Sequence, residues 1–139
     1  DGSRLLLKLG GLLAAKRLQT SYEFEAFYYR LFKRNFNFAS HLLLGRRPSN
    51  KVSSRYFLGG FDTVRGLPDG AMSGPQATYL NLELRHLSLR TQSVWLQSAV
   101  FFDCGTAGQT LSGSKIQAAS GLGLRIAIPY VHRLMLRID

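Results

Sequence analysis

The chain has 139 residues, enough for one domain of ordinary size and too few for two. Its 18 basic residues against 8 acidic ones give a formal charge of +10, which indicates an anionic partner such as nucleic acid, anionic lipid or an acidic substrate. The single cysteine, Cys104, excludes an internal disulfide and a thiolate metal cluster. Charged residues interrupt both long apolar runs, which excludes a membrane-spanning helix.

Three strands are predicted before residue 47. An apolar run over residues 5–9 is followed by two glycines, a pattern typical of a strand that ends in a turn or a bulge. Aromatic residues alternate with other side chains over residues 22–29, and this period of two predicts a strand rather than a helix. After a turn at residues 33–35, the same period continues over residues 36–44.

The stretch from Arg55 to Gly74 is predicted to be a folded-back loop. Its five glycines and one proline exclude the interior of a helix or of a central strand. Six apolar residues in it are expected to pack against the protein rather than remain in water. These residues are Tyr56, Phe57, Leu58, Phe61, Val64 and Leu67. Arg65 carries only hydrogen-bond donors and precedes Gly66, so the loop is expected to deliver one arginine to an acidic partner.

Four more strands are predicted after the loop, each with a period of two. Their approximate ranges are 78–89, 94–103, 116–128 and 130–139. Residues 104–114, rich in Gly, Ser and Thr, are predicted to form a turn region, and Pro129 or Tyr130 ends the third of these strands. Counting alternate positions places Glu83 and Asp103 on the more polar faces of their strands.

This alternation fits two architectures. In a soluble β-sandwich the apolar face would form the core and the polar face would meet water. In a membrane barrel the apolar face would meet lipid, and strand length favours this, because strands of about 9–11 residues cross a bilayer whereas soluble strands have about 5 or 6. Aromatic residues near the strand ends would then form interfacial girdles. These are Tyr22, Tyr28, Tyr29, Phe36, Tyr79, Trp95, Phe101, Phe102 and Tyr130.

The barrel interpretation assigns an orientation to each alternating residue. The residues predicted to face lipid are Leu80, Leu82, Leu84, Leu122, Leu124 and Ile126. Those predicted to face the lumen are Asn81, Glu83, Gly121, Gly123 and Arg125.

The loop resembles the Gly-Gly-x-x-x-Val-Arg-Gly-Phe signature of the BamA-like outer-membrane assembly and secretion barrels. The matching residues are Gly59, Gly60, Val64, Arg65, Gly66 and Leu67, with Leu67 where the family more often has an aromatic residue. Downstream strand motifs also match in order and spacing. They are Asn81-x-Glu83, Phe101-Phe102-Asp103-x-Gly105 and Gly121-x-Gly123-x-Arg125-x-x-x-Pro129.

The resemblance implies an all-β, antiparallel transmembrane barrel of sixteen strands, of which this chain would be the C-terminal part. Residues 3–46 would be the strands before the lumenal loop, 47–76 the loop and 77–139 the strands after it. In that family the loop arginine bonds to acidic residues of the inner wall, so Arg65 would contact Glu83 and Asp103. We call this predicted arrangement the latch. The chain begins at Asp1 without a signal-peptide pattern and without POTRA repeats, and we expect it to be part of a longer protein.

The function implied is that of a non-enzymatic barrel segment that inserts or secretes outer-membrane proteins. Its expected partners are the lipid bilayer, lipopolysaccharide, unfolded client proteins and accessory lipoproteins, in a bacterial outer membrane or an organelle outer envelope. No cofactor or metal is expected. Two alternatives stay open: a passive pore or membrane anchor of a secreted enzyme on the same barrel, and a soluble basic β-sandwich that binds a polyanion.

The remaining sequence motifs say less about function. His41, His86 and His132 lack the spacing of metal ligands and a nearby carboxylate motif, so structural or interfacial roles are expected for them. No catalytic triad or phosphate-binding loop is present in the sequence. A basic patch is formed by Arg46, Arg47, Lys51 and Arg55. Because the aromatic residues follow strand alternation rather than an RNA-binding motif, nucleic acid is not an expected partner.

Overall fold

The protein folds into a seven-stranded antiparallel sheet with a two-stranded sheet beside it, in a computed structural model that describes residues 2–14, 17–32, 35–47, 54–128 and 135–139. The large sheet has the order β1-β2-β3-β6-β7-β8-β9. Its strands are β1 (Gly2–Ala14), β2 (Arg17–Phe32), β3 (Phe36–Arg46), β6 (Gln76–Arg90), β7 (Trp95–Gly108), β8 (Gln117–Ala127) and β9 (Met135–Ile138). The small sheet pairs β4 (Tyr56–Leu58) with β5 (Met72–Gly74). A short 3-10 helix at Leu111–Gly113 follows β7.

The all-β, antiparallel prediction is confirmed, and the described sheet has three strands before the loop and four after it. Over the described residues, the sheet is not closed into a barrel. The turn predicted over residues 104–114 is wrong in its first part, because β7 continues to Gly108 and pairs with the start of β6. The predicted strand end at Pro129 or Tyr130 and the turn residues Lys33 and Arg34 lie outside the described residues, as do Lys51 and His132. Within the described residues, no helix has the length and apolar character needed to cross a bilayer.

The large sheet has two chemically different faces. We call the face covered by the loop the loop-side face and the opposite one the outer face. The loop-side face carries the ionised residues of the central strands, including Glu83, Asp103 and Arg125, and all three are buried. The outer face is apolar and open. Its exposed residues include Leu44, Leu84, Val100, Phe102, Leu122 and Leu124.

The orientations predicted for alternating residues agree with this division at the positions that are either strongly exposed or buried. Leu122 is 76% exposed, whereas Glu83 is 6% and Arg125 is 4% exposed. The predicted girdle is wrong for four residues that lie on the loop-side face. These are Tyr29 and Trp95, which are exposed there, and Tyr79 and Phe101, which are buried under the loop.

The loop packs on the sheet through its short hairpin. Tyr56 and Leu58 of β4 form a buried cluster with Leu43, Ala77 and Tyr79 of the sheet. Burying side chains of this size is worth about 1.5–3 kcal/mol each, so the hairpin holds the loop against the sheet. Short strands inside the loop were not expected from its glycine content.

Two of the six loop residues predicted to pack are in fact exposed. Phe57 is 54% exposed because it lies between Tyr56 and Leu58 in β4 and therefore points away from the sheet. Phe61 is 66% exposed and lies at the tip of the loop. The prediction holds for Tyr56, Leu58 and Val64, which are buried, while Leu67 is half-buried.

Candidate functional site

The loop reverses direction around Arg65 by means of glycines. Gly60 and Gly66 have φ angles of 77° and 81°, in the left-handed region that side chains with a Cβ rarely adopt. The Gly60 amide donates to the Leu67 carbonyl at 3.0 Å and closes the turn. The Thr63 hydroxyl accepts from the Gly59 amide at 2.6 Å and donates to the Gly59 carbonyl at 2.8 Å. The backbone is therefore fixed on both sides of Arg65.

Arg65 reaches both carboxylates that the sequence assigns to it. Its Nε donates to Asp103 Oδ2 at 2.6 Å and its Nη2 to Asp103 Oδ1 at 2.8 Å, a bidentate pair. Its Nη1 donates to Glu83 Oε2 at 3.0 Å. The Arg65 backbone amide adds a bond of 3.1 Å to Asp103 Oδ2. Asp103 is completely buried, and among the described residues Arg65 is its only cationic partner.

An aromatic ring supports the Arg65 guanidinium from below. The Arg65 Cζ lies 3.7 Å from the centroid of the Phe101 ring, a distance suited to a cation–π contact. The Phe101 ring in turn occupies the space above Gly121, where an added Cβ would come within 2.6 Å of its Cζ. Gly121 of the predicted strand motif is therefore required for the position of the ring.

The ion pairs extend beyond the predicted latch. Arg125 Nη2 donates to Glu83 Oε2 at 2.8 Å, and a second bond joins Arg125 Nη1 to the other oxygen of this carboxylate. Arg85 Nε donates to Glu83 Oε1 at 2.5 Å. Within the described ranges, Glu83 thus has two cationic partners besides Arg65, whereas Asp103 has no other than Arg65. The motif residue Arg125 is a direct part of the site and not only of the strand pattern.

Asp139 is the member of the site that the sequence did not indicate. Its Oδ2 accepts from Arg65 Nη1 at 3.2 Å and also bonds to Arg137. Asp139 follows β9, which pairs with β8 through Ile138 opposite Leu124, and this brings it over Gly123. As alternate residues, Arg137 and Asp139 lie on one face of the sheet, and the register of β9 with β8 brings Asp139 to Arg65. We call the set Arg65, Glu83, Arg85, Asp103, Arg125, Arg137 and Asp139 the ion-pair cluster.

The electrostatics of Arg65 follow from its burial and its partners. Burial disfavours the charged guanidinium, but the hydrogen bonds and attraction of Asp103, with those of Asp139 and Glu83, outweigh it. The pKa of Arg65 is therefore raised above its ordinary value, and the cluster keeps this charge at every accessible pH. In the described part of the chain, no group of three or more His, Cys, Asp or Glu residues is arranged to hold a metal ion.

A second anchor holds the base of the loop. The Tyr56 hydroxyl donates to Glu23 Oε2 at 2.8 Å, and Arg47 Nη2 donates to the same oxygen at 2.7 Å. The Arg47 guanidinium also lies 4.0 Å from the Tyr56 ring centroid. Gly45 makes room for the Tyr56 hydroxyl, which would clash with a Cβ there. The loop is thus attached to the sheet at two separate places.

The Tyr56 anchor is expected to depend on pH. Burial raises the pKa of the Tyr56 phenol from near 10 to about 12, and the bond to Glu23 adds to this shift. Because the folded protein favours the protonated phenol, its stabilisation is complete below pH 10 and is lost as the pH rises through about 12. Tyr56→Phe should lower the free energy of unfolding by roughly 1.5–3 kcal/mol near neutral pH and by much less above pH 12. Urea denaturation of the two proteins at both pH values measures this difference, and an equal difference at both would contradict it.

His41 has a carboxylate partner that the sequence did not indicate. Its Nε2 lies 2.8 Å from Glu25 Oε1, and its ring stacks on Phe27 with centroids 4.1 Å apart. The Tyr79 hydroxyl lies 3.2 Å from the same nitrogen. The sequence shows no carboxylate motif near His41, because cross-strand pairing of β2 and β3 brings together residues that are far apart in sequence. His86 lies on the outer face and packs on Phe36.

Comparison of the sequence with protein-family models and with curated proteins, and of the fold with solved structures, finds no match.

Proposed function

We propose that this chain is a barrel segment of an outer-membrane protein assembly or secretion factor, with a lumenal loop held to the wall by Arg65. The observation that carries the proposal is the separation of charge between the two faces of the sheet. The ion-pair cluster lies buried under the loop, and the outer face leaves large apolar side chains such as Val100 and Leu122 exposed. A soluble sheet would bury the apolar face and expose the charged one.

The dimensions of the outer face support a bilayer as its environment. On the outer face of β2, Tyr22 and Phe32 are the first and the last of the exposed aromatic residues. The strand between them is about 33 Å long at about 3.3 Å per residue. With a tilt of about 40° this corresponds to a height of about 25 Å, the height of the apolar band of an outer-membrane barrel.

The unpaired edges of the sheet also support a membrane barrel. Among the described residues, β1 and β9 each have one neighbour, so their outer edges have unpaired backbone groups. A sheet cannot keep such edges in lipid, and a closed barrel removes them. Under the proposal, further strands complete the wall, and the seam opens so that a free edge pairs with a strand of the client protein. The role of the ion-pair cluster is to keep the loop docked and the wall in register during this step.

The proposal is tested by depletion of the protein in its own host. The expected result is a loss of folded barrel proteins from the outer membrane, restored by the parent gene and restored poorly by Arg65→Ala at equal expression. A passive pore or an enzyme anchor predicts unchanged levels of these proteins. Extraction gives a second readout: an outer face in lipid requires detergent, so release of the protein by salt or alkaline carbonate would contradict the proposal and favour the soluble sandwich.

A further inference from the structure

One end of the outer face carries a group of aromatic rings with one arginine. It lies at the end of the sheet away from the loop, on β2, β3 and β6. We call it the outer aromatic cluster. Its members are Tyr28, Arg30, Phe32, Phe36, Phe38 and His86.

The register places these residues side by side. Phe32 is opposite Phe36, and Phe36 is opposite His86, so the three form one row across three strands. The Phe36 and His86 rings have centroids 4.5 Å apart. Arg30 and Phe38 form the adjacent row. At about 4.8 Å between neighbouring strands, the row from Phe32 to His86 is about 10 Å wide. This width is on the scale of a lipid headgroup.

Arg30 contacts an aromatic ring, and this contact leaves its N–H donors available for hydrogen bonds. Its guanidinium lies over the Phe32 ring, 4.9 Å from the centroid. This contact with the ring is not a hydrogen bond, so it uses none of the guanidinium N–H donors. In the described part of the chain, no carboxylate pairs with Arg30, in contrast to Arg65 and Arg125 on the loop-side face. An outward arginine with an aromatic support and no carboxylate partner among the described residues is suited to an anionic oxygen ligand.

We propose that the outer aromatic cluster binds the phosphate of anionic glycerophospholipids, with Arg30 as the phosphate ligand and the aromatic rings at the lipid–water interface. This inference rests on the proposed function, because it requires the outer face to lie in a bilayer. Aromatic rings sit at the headgroup level, and each basic residue near an anionic surface contributes attraction. Lipid rather than free phosphate is the ligand, since the apolar rings contact acyl chains while Arg30 contacts the headgroup.

A matched control is available in Arg90. Its guanidinium also lies over an aromatic ring, 4.7 Å from the centroid of Trp95, and it is exposed near the same end of the sheet. Trp95 is separated from the buried residues Ala99 and Phe101 by an even number of positions on β7, so it lies on the same, loop-side face. Arg90 is opposite Trp95 on the neighbouring strand and therefore lies on that face too. Arg30→Gln and Arg90→Gln remove the same charge and the same type of stacking, but only Arg30 is on the outer face.

The experiment compares spin-labelled phosphatidylglycerol with spin-labelled phosphatidylcholine around the complete barrel to which, under the proposed function, this chain belongs, reconstituted in phosphatidylcholine vesicles. The measurement is the fraction of each lipid immobilised by the protein, from electron paramagnetic resonance. We expect the parent protein and Arg90→Gln to immobilise phosphatidylglycerol in preference to phosphatidylcholine. In Arg30→Gln this preference should be roughly fivefold lower than in the parent. Added inorganic phosphate at equal ionic strength to a chloride control should not displace the lipid.

The outcomes separate the two proposals. Equal selectivity in all three proteins, or an equal loss in both variants, overturns the Arg30 site while leaving the membrane proposal intact. Displacement by inorganic phosphate alone shows an anion site rather than a lipid site and also overturns it. If no immobilised lipid is detected with the parent protein, the outer face is not in the bilayer, and both proposals fail.

Discussion

Replacing Arg65 by alanine is expected to lower the free energy of unfolding by about 3–5 kcal/mol, because it leaves a buried carboxylate without its cation. Asp103 receives three hydrogen bonds from Arg65 and is completely buried. Glu83 keeps Arg125 and Arg85 and is affected less. Two measurements check this: urea denaturation of the membrane-reconstituted protein, and the rate of protease cleavage within the loop, which should rise.

The structure specifies which second substitution should restore stability. Asp103→Asn removes the unpaired charge and should recover a large part of the loss in Arg65→Ala. Glu83→Gln should not, because it deprives Arg125 of its carboxylate. Arg65→Lys should rescue only partly, since an ammonium group cannot form the bidentate pair with Asp103. A loop in Arg65→Ala that resists protease as well as the parent loop would show that Arg65 does not hold it.

Placing an arginine at Leu82 is expected to cost about 2–4 kcal/mol, the cost of a cation on the lipid face near the bilayer midplane. Leu82 lies on the outer face, opposite Ser40 on one side and Phe102 on the other, near the middle of the apolar band. The free energy of folding into vesicles, measured for the parent and Leu82→Arg, gives this cost. In a soluble protein with an open outer face, the same change would cost far less.

The control for Leu82→Arg must be a partly open position on the loop-side face. Asn81 is unsuitable because its Nδ2 donates to the Thr63 carbonyl, so its replacement would disturb the loop. Tyr29 is 43% exposed and lines a cavity of about 160 Å³ together with His41 and Arg85. Tyr29→Arg should therefore be tolerated much better than Leu82→Arg. Equal costs at the two positions would contradict the assignment of the faces.

Some features of this protein follow from the sequence alone. The period of two predicts long strands, and alternation places Glu83 and Asp103 on the face opposite the leucines because side-chain direction in a strand is a local property. The loop also follows from the sequence, since its glycines permit the positive φ angles found at Gly60 and Gly66. The contact of Arg65 with the two carboxylates was predicted from the motif resemblance together with this alternation.

Other features were decided only by the tertiary structure. The partners Arg125 and Asp139 join the ion-pair cluster through the registers of β7, β8 and β9, and register depends on pairings between residues far apart in sequence. The bond between Tyr56 and Glu23 and the exposure of Phe61 depend on how the loop docks. The predicted strands place the aromatic residues Tyr79 and Phe101 near strand ends, but their burial depends on the loop that covers them. The sequence determined which side chains share a face, and long-range packing determined what each face meets.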